Sequence, residues 1–339
     1  MAKLINSLTS GLTKDEKGKL VDELHFSNYR DNLFQDLSEI ARKAFNAGSG
    51  HELKSREDSS PAKASALHSS SMLACNFFDW INSSNSAEYE ICVGDHKYSK
   101  AYFEVKIPTL AKPKPTYANI DVMLVSNDGK RIAFIESKFT EHLSRAAAEL
   151  CGQRFASAYA EKIDRYYDGC CAEEWMTVIK NWKEYAWNGM VGNETMKGYY
   201  NGIKQDICHL IAIGNLESSP AARADFIKKN KKTFGAFDIS GIEDFDFINM
   251  VYEPNKDNDF EEHELCGQFE KLCLKFFEDV PKTIKTARKF CTYSELWKNK
   301  NNSSMLSNVS RTYSKETLKD FLERRYMRFS SVGKWDGNS

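Results

Sequence analysis

The chain reads as one α/β domain with helical additions at both ends. Runs with strand-like alternation cluster between residues 88 and 139. A long stretch rich in Ala, Glu and Arg follows at 140–167, and a further apolar run returns near residue 245. Strand-period and helix-period segments that alternate in this way predict a sheet covered by helices.

Taken in order, residues 32–47 place Leu33, Phe34, Leu37, Ile40, Ala41, Ala44 and Phe45 on one helical face and stop at Gly48-Ser-Gly50. The polar segment 55–64 reads as a loop, and the apolar run 70–81 as a buried helix. "EYEICVG" and "KAYFEVKI" read as strands, the second alternating Tyr102, Glu104 and Lys106 against Phe103, Val105 and Ile107. Three prolines in 108–117 argue against a helix or a central strand there. Asn127-Asp-Gly129 between two β-rich runs signals a hairpin. "TEHLSRAAAELCGQRFASAYAEKIDRYY" predicts a long helix with Thr140 as its cap. "CHLIAIGNL" suits either a buried strand or the end of a helix that begins near Gly198. "FDFINMVYEP" reads as a strand and 260–280 as an amphipathic helix. A last helix is expected over 314–329, with Arg324, Arg325 and Arg328 near the end that favours cations.

Composition excludes several classes. No run of 18 apolar residues exists, so no membrane span is predicted, and "MAKLINSLTSGLTKDEK" lacks the apolar core of a signal peptide. The nine cysteines include no Cys-x-x-Cys, and the seven histidines form no HxxH or HExxH pattern. Reduced thiols in a cytoplasmic protein are therefore expected, with no structural zinc. There is no P-loop, GxGxxG or GxSxG, which argues against NTPase, Rossmann dehydrogenase and α/β-hydrolase chemistry. Lys plus Arg (47) nearly cancels Asp plus Glu (48), but the charges are segregated. Residues 238–264 hold ten acids and one lysine, whereas 282–339 hold 13 basic residues and five acids. A basic C-terminal part interleaved with Tyr293, Trp297, Tyr313, Tyr326, Phe329 and Trp335 suits either nucleic-acid stacking or ordinary core packing. Lys228, Lys229, Lys231 and Lys232 read as a wet loop.

The stretch "NIDVMLVSNDGKRIAFIESKF" puts charges at the ends of two apolar strands. Side chains alternate on a strand, so Glu136 and Lys138 share a face. A turn centred near residue 128 lays Glu136 across from about residue 120, within a residue or so of Asp121. Two carboxylates can hold Mg²⁺, and the lysine can orient or help deprotonate a water, a set suited to phosphodiester hydrolysis. The bland alternative is a solvated strand end carrying a surface ion pair. Six positions carry an acid two residues before a lysine: Asp15, Glu52, Asp95, Glu104, Asp128 and Glu136. Only Glu136 has an Asp-bearing strand before it, a tight hairpin between and a predicted long helix after. Gln153, Gln205 and His209 lie on later elements that could face the site, each weighed against an ordinary helical position.

Asp121, the hairpin, Glu136-Ser137-Lys138 and the following helix together resemble the PD-(D/E)XK nuclease superfamily. "GSGHEL", "LHSSSMLACNFF", "ANIDVML" and "IESKF" further resemble a bacterial group of restriction-endonuclease-like proteins. The resemblance implies a restriction-endonuclease-like core, a mixed central sheet flanked by helices, over about 101–216. Residues 1–100 would then be the N-terminal helical part of the nuclease domain and 217–339 an α/β extension with a basic end. It also implies Asp121 and Glu136 as metal ligands, the Ser137 carbonyl as an extra ligand and Lys138 as the catalytic lysine. A further acid is expected from Glu52 or, second, Glu104. Ile120 departs from the family pattern, where proline often precedes the aspartate. The function implied is a Mg²⁺-dependent endonuclease, with Mn²⁺ as a substitute, cutting double-stranded DNA and possible as a homodimer. The alternatives are an inactive nucleic-acid-binding or scaffolding protein, or a nuclease for RNA or branched DNA.

Overall fold

The structure is a computed structural model that describes residues 2–48, 52–55, 60–83, 89–141, 159–182, 190–191, 194–195, 200–235, 238–256, 260–311 and 315–330. Its centre is a six-stranded mixed sheet whose spatial order follows the chain: β1 (Ile91–Val93), β2 (His96–Leu110), β3 (Thr116–Ser126), β4 (Arg131–Lys138), β5 (Asp244–Val251) and β6 (Ala287–Thr292). The first four strands are antiparallel neighbours, whereas β4–β5 and β5–β6 are parallel. The β3–β4 hairpin turns at the expected place. Gly129 sits at φ +68°, where a residue without Cβ carries no steric cost.

The predicted helices at 70–81 and 260–280 appear as α2 (Ser70–Phe78) and α5 (Phe260–Asp279). The predicted helix over 32–47 starts late, as α1 (Glu39–Ala47), because Ser38 caps it through the Ala41 N–H. The predicted last helix is α6 (Leu318–Arg325), followed by a 3-10 turn at Met327–Phe329. The ambiguous run 208–216 belongs to a helix, α3 (Tyr200–Ser218). Most of the predicted helix over 140–167, with Gln153 in it, lies outside the described residues. Tyr313 and Trp335 do so as well.

Three expectations are corrected. The lysine run at 228–232 is not a loop but part of α4 (Pro220–Phe234), capped by Ser219 with proline in its first turn. The segment 287–292, not expected as a strand, is the edge strand β6. Pro108 lies inside β2, opposite Tyr117. The partner β1 ends at Val93, so the outer edge of β2 is open at that point. Pro108 sits two residues from Lys106, whose N–H and C=O face outward to the side-chain amide of Asn230. The missing proline N–H therefore removes no ladder bond.

α3 and α5 cover one face of the sheet, α1 and α2 the other, and α4 lies along β2. The core is continuous from Leu4 to Phe329, so the N- and C-terminal additions share it. Tyr293, Tyr326 and Phe329 are buried in that core and are not a stacking platform. Arg324 pairs with Glu16 and Glu316, and Arg325 is buried, so neither is an open phosphate-binding group. The eight described cysteines are free thiols. No helix among the described residues is long and apolar enough to cross a membrane.

Candidate active site

The β3–β4 ladder pairs Val125–Ile132 through Val122–Ile135 and then stops. One step further along that register, Asp121 lies opposite Glu136, a residue closer than the turn-counting expectation. Beyond the stop the strands part, and Asp121 fills the gap: its Oδ2 accepts the Ser137 N–H at 2.7 Å. The aspartate thus replaces a ladder bond, which fixes its carboxylate between the strand ends. On the other side, β2 pairs Phe103 with Val122 and Val105 with Ile120, which puts Glu104 across from Asp121. Glu104 has φ +53°, the left-handed region that non-glycine residues seldom occupy and that costs roughly 1–3 kcal/mol. Its Oε2 accepts from Asn119 Nδ2 at 2.6 Å and approaches Gly48, where a Cβ would lie 3.3 Å away. Glu104, Asp121 and Glu136 therefore form a row across three adjacent strands.

Glu136 and Lys138 share a face, and both are almost fully buried, at 2% and 5% exposure. Lys138 Nζ donates to Glu136 Oε1 at 2.8 Å and to Gln205 Oε1 at 2.9 Å. Burial opposes the ammonium charge, but Glu136, Glu141 and Asp121 outweigh it and hold the lysine above its ordinary pKa. Glu136 Oε2 has no hydrogen-bond partner among the described residues. It faces His209 Nδ1 at 3.6 Å, and that nitrogen also lacks a donor or acceptor. The other ring nitrogen, Nε2, donates to the Asn119 carbonyl at 3.0 Å. Burial lowers the His209 pKa and so favours the uncharged ring. Gln205 and His209 stand one helical turn apart on α3, and both face the site. Glu52 lines the same cleft but is half-buried and paired with Lys63 Nζ at 3.2 Å.

The row opens into a cleft of about 850 Å³ whose wall includes Glu52, His68, Ser69, Glu104, Asp121 and Glu141. Desolvation and the neighbouring Glu136 charge push the Asp121 carboxyl well above its usual range. Desolvation first, then the charges of Glu52 and Glu136, raises Glu104 as well. Carboxyls pushed up by burial and by a neighbouring negative charge are the arrangement a cation relieves. Ser137 presents its N–H to the β3 edge, and a strand residue's carbonyl lies on the same edge as its N–H. That carbonyl therefore lies beside Asp121. No group of three or more His, Cys, Asp or Glu side chains among the described residues forms a ready metal cage. Mg²⁺ needs only one or two carboxylates with water completing its shell, so Asp121, Glu136 and the Ser137 carbonyl fit its chemistry.

Sequence reasoning missed Asn119, His68 and Glu141. Asn119 lay in plain view two residues before Asp121. Glu141 takes the Phe139 and Thr140 N–H groups at 2.7 and 3.0 Å, just past the strand.

Behind Lys138, Asp206 is fully buried, accepting from Asn249 Nδ2 at 2.7 Å while its Oδ1 has no partner. Burial pushes its carboxyl up to about 7. A raised carboxyl pKa means the folded state holds its proton more tightly than the unfolded chain. Stability from this group is thus present below the ordinary aspartate range and is lost as pH rises through about 7. Asp206→Asn is expected to stabilise the fold at pH 8, by roughly 4 kcal/mol at most, with a higher melting temperature there and an unchanged one near pH 3. Thermal unfolding across pH reads this directly; equal curves at pH 8 would refute it.

The six-stranded mixed sheet, its flanking helices and this strand-end cleft define a restriction-endonuclease-like protein. The chain belongs to the REase-ARP family, described as restriction endonuclease associating with ARP, whose sequence model it matches over residues 6–186. No curated protein and no solved structure matches it.

Proposed function

We propose that the protein is a metal-dependent endonuclease that hydrolyses DNA phosphodiesters. The carrying observation is the buried Glu136 Oε2 without a hydrogen-bond partner, set in a row of carboxylates beside the buried Lys138. Membership of a restriction endonuclease family supports the same reading. Asp121, Glu136 and the Ser137 carbonyl would hold Mg²⁺, or Mn²⁺ in its place. The cation would supply positive charge to the phosphodiester as it breaks. Glu104, strained and opposite Asp121, is the favoured additional acid, ahead of Glu52, whose carboxylate already serves Lys63.

The chain's own groups have separable tasks in this reading. Lys138 has three N–H donors, and Glu136 and Gln205 use two of them. The third is available to orient a water or a phosphate oxygen. Gln205 fixes the ammonium, and Asp121 keeps the Ser137 backbone turned toward the strand gap.

Supercoiled plasmid with Mg²⁺ or Mn²⁺ provides the test. Wild-type protein is expected to nick or linearise it, and Asp121→Ala to be inactive. Metal-independent cleavage, or cleavage equal in the variant, would sink the proposal. Binding of DNA without turnover by wild type would favour a non-catalytic nucleic-acid-binding protein.

A further inference from the structure

A second groove, of about 420 Å³, adjoins the cleft and shares Glu104 with it. Four lysines line it: Lys43 from α1, Lys106 from β2, and Lys229 and Lys232 from α4. Lys229 and Lys232 are three residues apart and therefore share a helix face. Lys43 is paired with Glu39 at 2.6 Å. Lys106, Lys229 and Lys232 have no carboxylate ion pair among the described residues, and Lys229 lies over the Tyr117 ring at 4.7 Å.

The backbone segments that carry these lysines are fixed to one another. Asn230, 3% exposed, accepts the Lys106 N–H at 3.2 Å and donates to the Lys106 carbonyl at 2.8 Å. It takes the place of a neighbouring strand on the open edge of β2. Because Asn230 sits between Lys229 and the next turn, it fixes the α4 lysines relative to Lys106. Like charges converging in a groove focus a positive potential that the near-neutral net charge hides.

We propose that this groove holds the phosphate backbone of the DNA strand leading into the carboxylate cleft. The inference rests on the nuclease reading, because it takes its polarity from that cleft: the strand crosses the lysines and meets the carboxylates at Glu104. Three unpaired ammoniums suit successive phosphates, a sequence-independent contact that positions rather than specifies.

The test is binding of a short fluorescent DNA duplex in EDTA across a salt series. It compares wild type with Lys106→Gln/Lys229→Gln/Lys232→Gln. A control triple, Lys271→Gln/Lys298→Gln/Lys300→Gln, changes exposed lysines on α5 and on the helices that follow β6, none of which lines the groove. Each phosphate contact adds about 0.9 to the slope of log K against log salt, so the groove triple should be shallower by roughly three. Its affinity should fall about tenfold or more near ~0.1 M salt, with the control unchanged. In cleavage, the groove triple should raise KM and leave kcat intact. Wild-type affinity and slope in the groove triple would overturn this proposal while leaving the nuclease reading intact if Asp121→Ala abolishes cleavage. Loss of binding in the triple, from a wild type that never cleaves, would retain the groove and remove the nuclease. A wild type that binds no DNA would remove both.

Discussion

Lys138→Ala is expected to reduce DNA cleavage by about 10²–10³-fold or more, the usual effect of removing one charged donor from a reacting centre. The same change also strips Glu136 of its buried partner, and breaking such a pair costs about 3–5 kcal/mol. Loss of activity in that variant alone would therefore be ambiguous. Assaying cleavage well below the variant's melting temperature separates the two effects. Circular dichroism and thermal unfolding establish that Lys138→Ala is folded there, yet plasmid cleavage should stay absent. Cleavage at the wild-type rate by the folded variant would show the lysine to be structural.

The largest stability effect is expected at Arg325→Ala. This guanidinium is 2% exposed, donates to Asn32 Oδ1 at 2.6 Å and stacks within 6 Å of Phe26, Phe321 and Tyr326, at 5.2, 5.6 and 5.8 Å. Asn32 in turn donates to the Ala64 and Ala66 carbonyls, and Asn76 joins the Asn32 carbonyl to the Tyr326 hydroxyl. Truncation orphans the Asn32 oxygen, opens a cavity among rings and weakens the field that holds Glu16 ionised. The cost should be about 3–5 kcal/mol, or roughly 4–7 °C in melting temperature for a chain of this length. Arg325→Met, which keeps most of the volume, should lose less. A melting temperature within a degree or two of wild type for the alanine variant would refute this account.

Where the sequence carried a local physical contradiction, it could be read. Asp121, Glu136 and Lys138 stood out because charges terminate strands that are otherwise apolar. Asn127-Asp-Gly129 stood out because a tight turn needs a residue tolerant of positive φ. Gln205 and His209 could be named but not assigned, since the apolar run at 208–216 has no period that distinguishes a buried helix from a buried strand. α4 was hidden by its lysines, which belong to a helix held by the buried Ala222, Phe226 and Asn230. β6 was hidden by being a half-buried edge, where Arg288 and Lys289 interrupt the apolar pattern. The choice between Glu52 and Glu104 required three-dimensional register: only pairing across β2 and β3 shows which acid opposes Asp121.

The parallel pairing of β5 onto β4 has a consequence for synthesis. The family match ends at residue 186, but Gln205, His209 and the strand that flanks Glu136 all come later in the chain. While the polypeptide is still on the ribosome, β4 has one bare flank until residues 244–251 emerge. The ammonium of Lys138 likewise waits for Gln205. Nascent or prematurely terminated chains would thus display the signature residues without the enclosure that aligns them. Whatever chemistry this cleft performs is withheld until residues 244–251 have been made and paired with β4.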